Sequence, residues 1–236
     1  MVRRLMVVYR LTAAIMCLAA LSACTVVRIA DQESGGGQDD QYSTWTKTGT
    51  GFVASEYVED VWDDRIIPIY EEEAVDYATL VAALRDDRDA AVQTFGLARQ
   101  TGEPYYVFKV RGTAAVLEFD DSSRNGVIRV DLIPTDGTVD ATLQVGPVIR
   151  GTAIRDSVDF INFTDVGNQL QFADLANELN ARMRRDSVEP IDLASIPGET
   201  IEFVGAFRLE EDRPLEEIVI TPVRIDVVAE TGDQNG

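Results

Sequence analysis

Tyr105-Tyr-Val-Phe-Lys-Val-Arg-Gly-Thr-Ala-Ala-Val-Leu-Glu-Phe-Asp-Asp-Ser-Ser-Arg-Asn-Gly126 is the stretch from which the fold can be read. Tyr106, Phe108 and Val110 alternate with polar or exposed positions, a period of two that predicts a half-buried strand. A second alternating run follows at Ala115, Leu117 and Phe119. Asp120 to Gly126 is built from turn-forming residues, and Asn125-Gly126 is the strongest short hairpin signal in the chain. Beyond it, strands are expected at Val127–Ile133 and Ala141–Val145, separated by Pro134-Thr-Asp-Gly137. Helical spacing then takes over. Phe172, Leu175, Ala176, Leu179 and Met183 form one apolar stripe over about Asp165–Arg184, with Asp165 at its start and Arg182, Arg184 and Arg185 at its end, as the macrodipole favours. Glu199–Leu209 and Ile218–Val228 read as two closing strands, and Pro222 argues for a sheet edge or a bulge in the second.

Upstream, Phe52 to Tyr70 reads as extended, with Trp62 and Ile66-Ile-Pro-Ile69 as core contacts. Glu71-Glu-Glu73 is expected to open a helix whose apolar face is Tyr77, Leu80, Val81 and Leu84. Asp89 to Phe95 reads as a second short helix, stopped by Gly96. Three or four strands, a helix and two strands is the order of an OB-like Greek-key β-barrel. The fold class expected is therefore α+β, with flanking helices around that barrel. The chain divides into residues 1–23, 24–51, an N-terminal extended and helical segment 52–104, and a barrel domain 105–230 containing helix 165–184.

The first 24 residues give an address. Arg3, Arg4 and Arg10 precede the eleven-residue apolar run Leu11 to Leu21, and small residues lead into Cys24. That is the order of a secretory signal, with an apolar run too short to span a hydrocarbon core of about 30 Å. Leu21-Ser-Ala-Cys24 resembles the lipobox of bacterial lipoproteins, which implies cleavage before Cys24 and lipidation of that residue, palmitate included. Residues 24–51 follow as anchor and tether, rich in Gly, Ser, Gln and Asp. About 15 such residues span roughly 20 Å as a random coil, so the domain is expected to stay near its bilayer and reorient freely. The anchor is expected in the inner or outer membrane; by the sorting rule of some didermic bacteria, Thr25 rather than aspartate after the cysteine would favour the outer one, if the host has one.

Composition excludes more than it assigns. The net charge is −20, and loss of residues 1–23, with three arginines and no acids, takes it to −23, which disfavours nucleic acid as a partner. There is no histidine, and Cys24 is the one cysteine left after processing, so histidine-based catalysis, the usual zinc and copper sites and an intramolecular disulfide are all unavailable. No cofactor, metal site or catalytic residue is expected, although carboxylate-only chemistry survives on 41 acids.

One segment looks chosen residue by residue: Gly146-Pro-Val-Ile-Arg-Gly-Thr-Ala-Ile-Arg-Asp156. Arg150, Thr152, Arg155 and Asp156, with Asn168 and Gln169 downstream, are the candidate ligand-binding residues, because arginine forks in an acidic protein can hold an anion or a sugar. The alternative is that the arginines pair with Asp156 and other acids and pin the strand-to-helix crossover, with Asn168-Gln169 a helix cap. Tyr105, Tyr106 and Trp62 are further candidates for a sugar face or, equally, core residues.

The same segment, with Phe160-Ile-Asn-Phe163, Asn168-Gln-Leu-Gln-Phe-Ala, Val58-Glu-Asp-Val-Trp62, Gly102–Gly112, Asp121–Gly126, Gly205-Ala-Phe207 and Ile220-Thr-Pro222, resembles an uncharacterised family of predicted periplasmic lipoproteins, a domain of unknown function. The resemblance implies an OB-like core with flanking helices and genes often neighbouring sugar ABC-transporter components. It implies no activity and no catalytic residue. The reading expected is a lipid-anchored periplasmic, non-catalytic binding or accessory module. Its partners would be the membrane, through lipidated Cys24, and a small sugar or sugar-transporter components. The alternatives are an envelope structural or assembly protein and, third, a carboxylate-based glycan hydrolase.

Overall fold

Residues 52–98 and 105–228 are described in a computed structural model of the chain. The signal segment, Cys24 and the tether lie outside them. Five long strands make the frame: β1 (Tyr105–Asp120), β2 (Val127–Leu132), β3 (Ala141–Gln144), β4 (Thr200–Glu210) and β5 (Val219–Val228). Their spatial order is β1-β2-β3-β5-β4, and β4 pairs back onto β1, which closes the barrel. All pairings are antiparallel except β3 with β5, where Thr142 and Leu143 face Val219 and Ile220. This is the five-stranded OB arrangement expected from the strand order.

Closure depends on β1 serving two neighbours. Its first part pairs with β4 from Tyr105 through Ala115, and its last part with β2 from Ala114 to Asp120. Gly112 lies near the handover, where a Cβ would come within 2.8 Å of the Phe203 ring. Two further two-residue strands, Val75–Asp76 and Leu97–Ala98, pair on the other edge of β1. The inward set of β1 differs in part from the expected one. Phe108 and Val110 are buried, but Tyr106 is exposed while Tyr105 and Val107 are buried. Both faces of this half are covered: Phe108 stacks on Phe207, which meets Tyr77 edge-on, while Tyr105 reaches Asp156. Ala114 and Val116, not Ala115 and Leu117, continue the buried set, because one uninterrupted strand keeps the phase of Phe108. A bulge at Leu117, between Val116 and Glu118, then shifts the register.

Asp121 to Gly126 joins β1 to β2, yet neither Asn125 nor Gly126 has a positive φ, so the connection is not the two-residue primed turn that Asn-Gly suggests. Gly126 is needed for close approach instead. Its carbonyl accepts the N–H groups of Val145 (2.8 Å) and Gly146 (2.9 Å), and a Cβ on Gly146 would lie 2.3 Å from the Gly126 nitrogen. Pro222 sits at the expected irregularity: Gly205 faces Pro222 while Val204 faces Arg224, which makes Val223 the extra residue of a bulge.

The N-terminal segment is helical where an extended chain was expected. Helix α1 (Ala54–Val61), a π-helical turn (Trp62–Ile66) and α2 (Ile67–Glu73) follow one another. Val58, Val61, Trp62, Ile66 and Tyr70 are buried at spacings of three, one, four and four, a helical stripe written in β-favouring residues. Pro68 is tolerated because it falls in the first turn of α2. Glu71–Glu73 therefore ends a helix rather than opening one. The next helix, α3 (Tyr77–Asp86), is capped by Asp76, whose carboxylate accepts the Thr79 N–H at 2.8 Å, and buries the expected face. Helix α4 (Arg88–Phe95), capped by Asp87, ends at Gly96.

Between β3 and β4 come α5 (Ala153–Asp156) and α6 (Gln169–Met183), the latter running into a second π-helical turn, Arg184–Val188. Helix α6 starts later than Asp165. Asn168 is its cap and accepts the Gln171 N–H at 2.9 Å, while Phe163–Asp165 forms a separate 3₁₀ turn. Residues of the barrel, α1–α4 and α6 share one apolar core.

Candidate functional site

The crossover from β3 to α5 is held by two buried amides. Gln144 ends β3, and its side chain copies a strand partner: Oε1 accepts the Arg150 N–H at 2.8 Å and Nε2 donates to the Arg150 carbonyl at 3.0 Å. The same Nε2 donates to Thr221 Oγ1 on β5 at 2.5 Å. Gly151 follows with φ +87°, a left-handed conformation that glycine adopts without penalty, and its carbonyl accepts Asn180 Nδ2 from α6 at 3.1 Å.

Helix α5 then turns its polar residues inward. Asp156 is fully buried and Arg155 nearly so. Arg155 donates through Nε (2.9 Å) and Nη2 (2.8 Å) to Asp156 Oδ1, through Nη1 to the Phe172 carbonyl (2.9 Å), and lies over the Phe172 ring. The other carboxylate oxygen accepts Thr152 Oγ1 at 2.5 Å and the Tyr105 hydroxyl at 3.0 Å. Next to it, Ser157 Oγ donates to the Ile154 carbonyl and accepts the Tyr70 hydroxyl at 2.5 Å. Burial pushes the Tyr70 phenol far above its ordinary range. This network joins α2, α5, α6 and β1 and leaves no carboxylate surface to solvent.

In front of this network a cleft of about 420 Å³ opens between the ends of β3, β4 and β5 and the β1–β2 loop. Arg150, Gly151 and Thr152 line it together with Asn125, while Gln144 and Thr221, bonded to each other, form its floor. Arg208 of β4 completes it. Its guanidinium lies 3.5 Å from the centre of the Tyr105 ring, and Nη1 is 3.4 Å from Thr152 Oγ1. Among the described residues Glu210 is the single carboxylate of the lining, and it pairs with Arg213 at 3.2 Å.

The six predicted binding residues thus separate into three groups. Arg150 and Thr152 reach the cleft; Arg155 and Asp156 form the buried pair behind it, as the crossover-pinning alternative expects; Asn168 and Gln169 sit exposed at the start of α6, outside the lining. Tyr105 supports Arg208, Trp62 is core, and Tyr106 belongs to a different surface depression with Arg88 and Leu209. Gln144, Asn180, Arg208 and Thr221 carried no local signal in the sequence. Among the described residues no group of three or more acids is placed to hold a metal ion, and no helix is long and apolar enough to cross a membrane.

Fold and site together define a closed OB-type barrel, with flanking helices and a polar cleft of small-molecule size at one end of its sheet. The chain belongs to the family described as "Predicted periplasmic lipoprotein (DUF2291)", whose model matches residues 14–226. The match spans Cys24 and all but the last two residues of the barrel, and it bears out the expected periplasmic, lipid-anchored location. An OB-fold protein from Thermotoga maritima is similar in structure, with a TM-score of 0.64 at 19% identity over 75% of this chain and 99% of that one, which shows the fold. No curated protein matches the chain.

Proposed function

We propose that this protein is a non-catalytic binding module, held at a periplasmic membrane surface by lipidated Cys24, that presents its cleft to a small polar ligand in support of a sugar uptake system. The observation that carries the reading is the cleft itself. Gln144 and Asn180 clamp the backbone of residues 150 and 151, so Arg150 and Thr152 are offered from a fixed frame rather than from a free loop. Its volume, about 420 Å³, lies in the range of small-molecule sites. A glycan hydrolase needs two convergent carboxylates, and this lining has one, already paired. The ligand class follows the expectation, implied by the family resemblance, that such genes often neighbour sugar-transporter components. Full-length protein in detergent is expected to gain melting temperature with one member of a panel of pentoses, hexoses and polyols, since ligand at about 100 times Kd adds roughly 2.7 kcal/mol. A flat response across the panel, with no retention of a transporter component by the immobilised protein, would overturn the reading.

A further inference from the structure

We infer that the cleft selects a small polyhydroxylated ligand that carries an oxyanion group, a carboxylate or a phosphate, over its neutral counterpart. This rests on the proposal that the cleft binds a small ligand, and it adds the charge of that ligand. Three arginines against one glutamate leave the lining with a net charge of +2, in a chain whose total is −20. A second cleft, of about 470 Å³, shows the opposite balance, with Glu71, Asp76, Glu202 and Asp226 against Arg111 and Arg224.

Two of the cleft's arginines also lack a carboxylate partner. Arg155 has Asp156, and Arg213 has Glu210, but neither Arg150 nor Arg208 has an ion pair among the described residues. Arg150 is exposed, with only its backbone engaged by Gln144. Arg208 is half-buried, and its Nε is closed off from solvent with no hydrogen-bond partner among the described residues. The fully buried Asp156 does not neutralise them, because its single negative charge is already matched by Arg155. Stacking on Tyr105 fixes the plane of the Arg208 guanidinium, which favours a planar, two-point acceptor. Thr152 and Asn125 around it suit hydroxyl groups on the rest of the ligand.

Titration of the full-length protein in detergent with D-galacturonate, D-galactose, galactose 1-phosphate and inorganic phosphate tests the assignment, because the first two differ only in the carboxylate. One charged sugar is expected to bind at least about ten-fold more tightly than galactose, the difference that one charge-assisted hydrogen bond supplies. Preference for galacturonate identifies a carboxylate; preference for galactose 1-phosphate, with competition by inorganic phosphate, identifies a phosphate. Arg150→Gln, on the surface, should cut the preference several-fold without lowering the melting temperature. Arg208→Lys, which keeps the charge and loses the fork, should also reduce it. Equal binding of galactose and the charged sugars, or an unchanged preference in Arg150→Gln, overturns the oxyanion assignment and leaves the small-ligand reading standing. No response here or in the neutral sugar and polyol panel removes both.

Discussion

A carboxylate with no solvent surface survives only if every lone pair is answered, and Asp156 is answered by Arg155, Thr152 and Tyr105. Removing it strands a nearly buried guanidinium and two hydroxyls. Asp156→Ala is therefore expected to cost about 3–5 kcal/mol in urea denaturation, the range for breaking a buried pair from one side. Asp156→Asn, which keeps an acceptor for the hydroxyls, should cost less. Two tyrosines set the alkaline limit. Burial pushes Tyr77 up to about 12 and Tyr70 further, against about 10 in an unfolded chain. A raised folded value means that stability is held below pH of about 10 and falls as pH rises beyond it, because the unfolded chain ionises first. Denaturation midpoints at a series of pH values above 9 check the sign; a gain in stability above pH 10 would contradict it. At this scale the sequence was half legible. The polar density of residues 150–156 showed directly, but Arg155 and Arg150 look alike in a string, and only the turn of α5 sends one inward and leaves the other outside.

At the scale of elements, backbone meets backbone closely at Gly205 and at Gly146. A Cβ on Gly205 would lie 2.6 Å from the Thr221 carbonyl, opposite the bulge at Pro222. Gly205→Ala should thus destabilise by about 1–3 kcal/mol, measured by thermal or urea unfolding. Asn168→Ala removes the cap of α6 and should cost about 1 kcal/mol, with no loss at the cleft, since Asn168 lies outside its lining. The five strands and α3, α4 and α6 were readable from period, but the starts of α3 and α6 were placed too early, at Glu71 and Asp165, ahead of the Asp76 and Asn168 caps. The first helices were not, because Val58, Val61, Trp62, Ile66 and Tyr70 bring β-favouring side chains to a helical stripe that tertiary burial rewards. Asn125-Gly126 marked its hairpin correctly but for another reason, the packing of Gly126 against Gly146.

Over the whole molecule, closure removes the long free edges through which an open sheet would recruit other chains. The chain as a whole carries an acidic surplus, while the cleft reverses that sign locally. Cys24→Ser is expected to release the protein from the membrane or leave the precursor unprocessed, as read by fractionation and N-terminal sequencing; normal cleavage with full membrane retention would contradict the lipid anchor. The cleft itself was not legible as a whole, since its lining comes from five separate stretches of chain and only residues 150–156 announced themselves. The measurement that bears on it most directly is amide chemical-shift mapping of isotopically labelled protein in detergent, with D-galacturonate and D-galactose as probes. Shifts confined to Asn125, Gln144, residues 150–153, Arg208 and Thr221 are the predicted result. Shifts centred on the exposed start of α6 or on the Glu71–Asp226 cleft, with residues 150–153 unmoved, would contradict it.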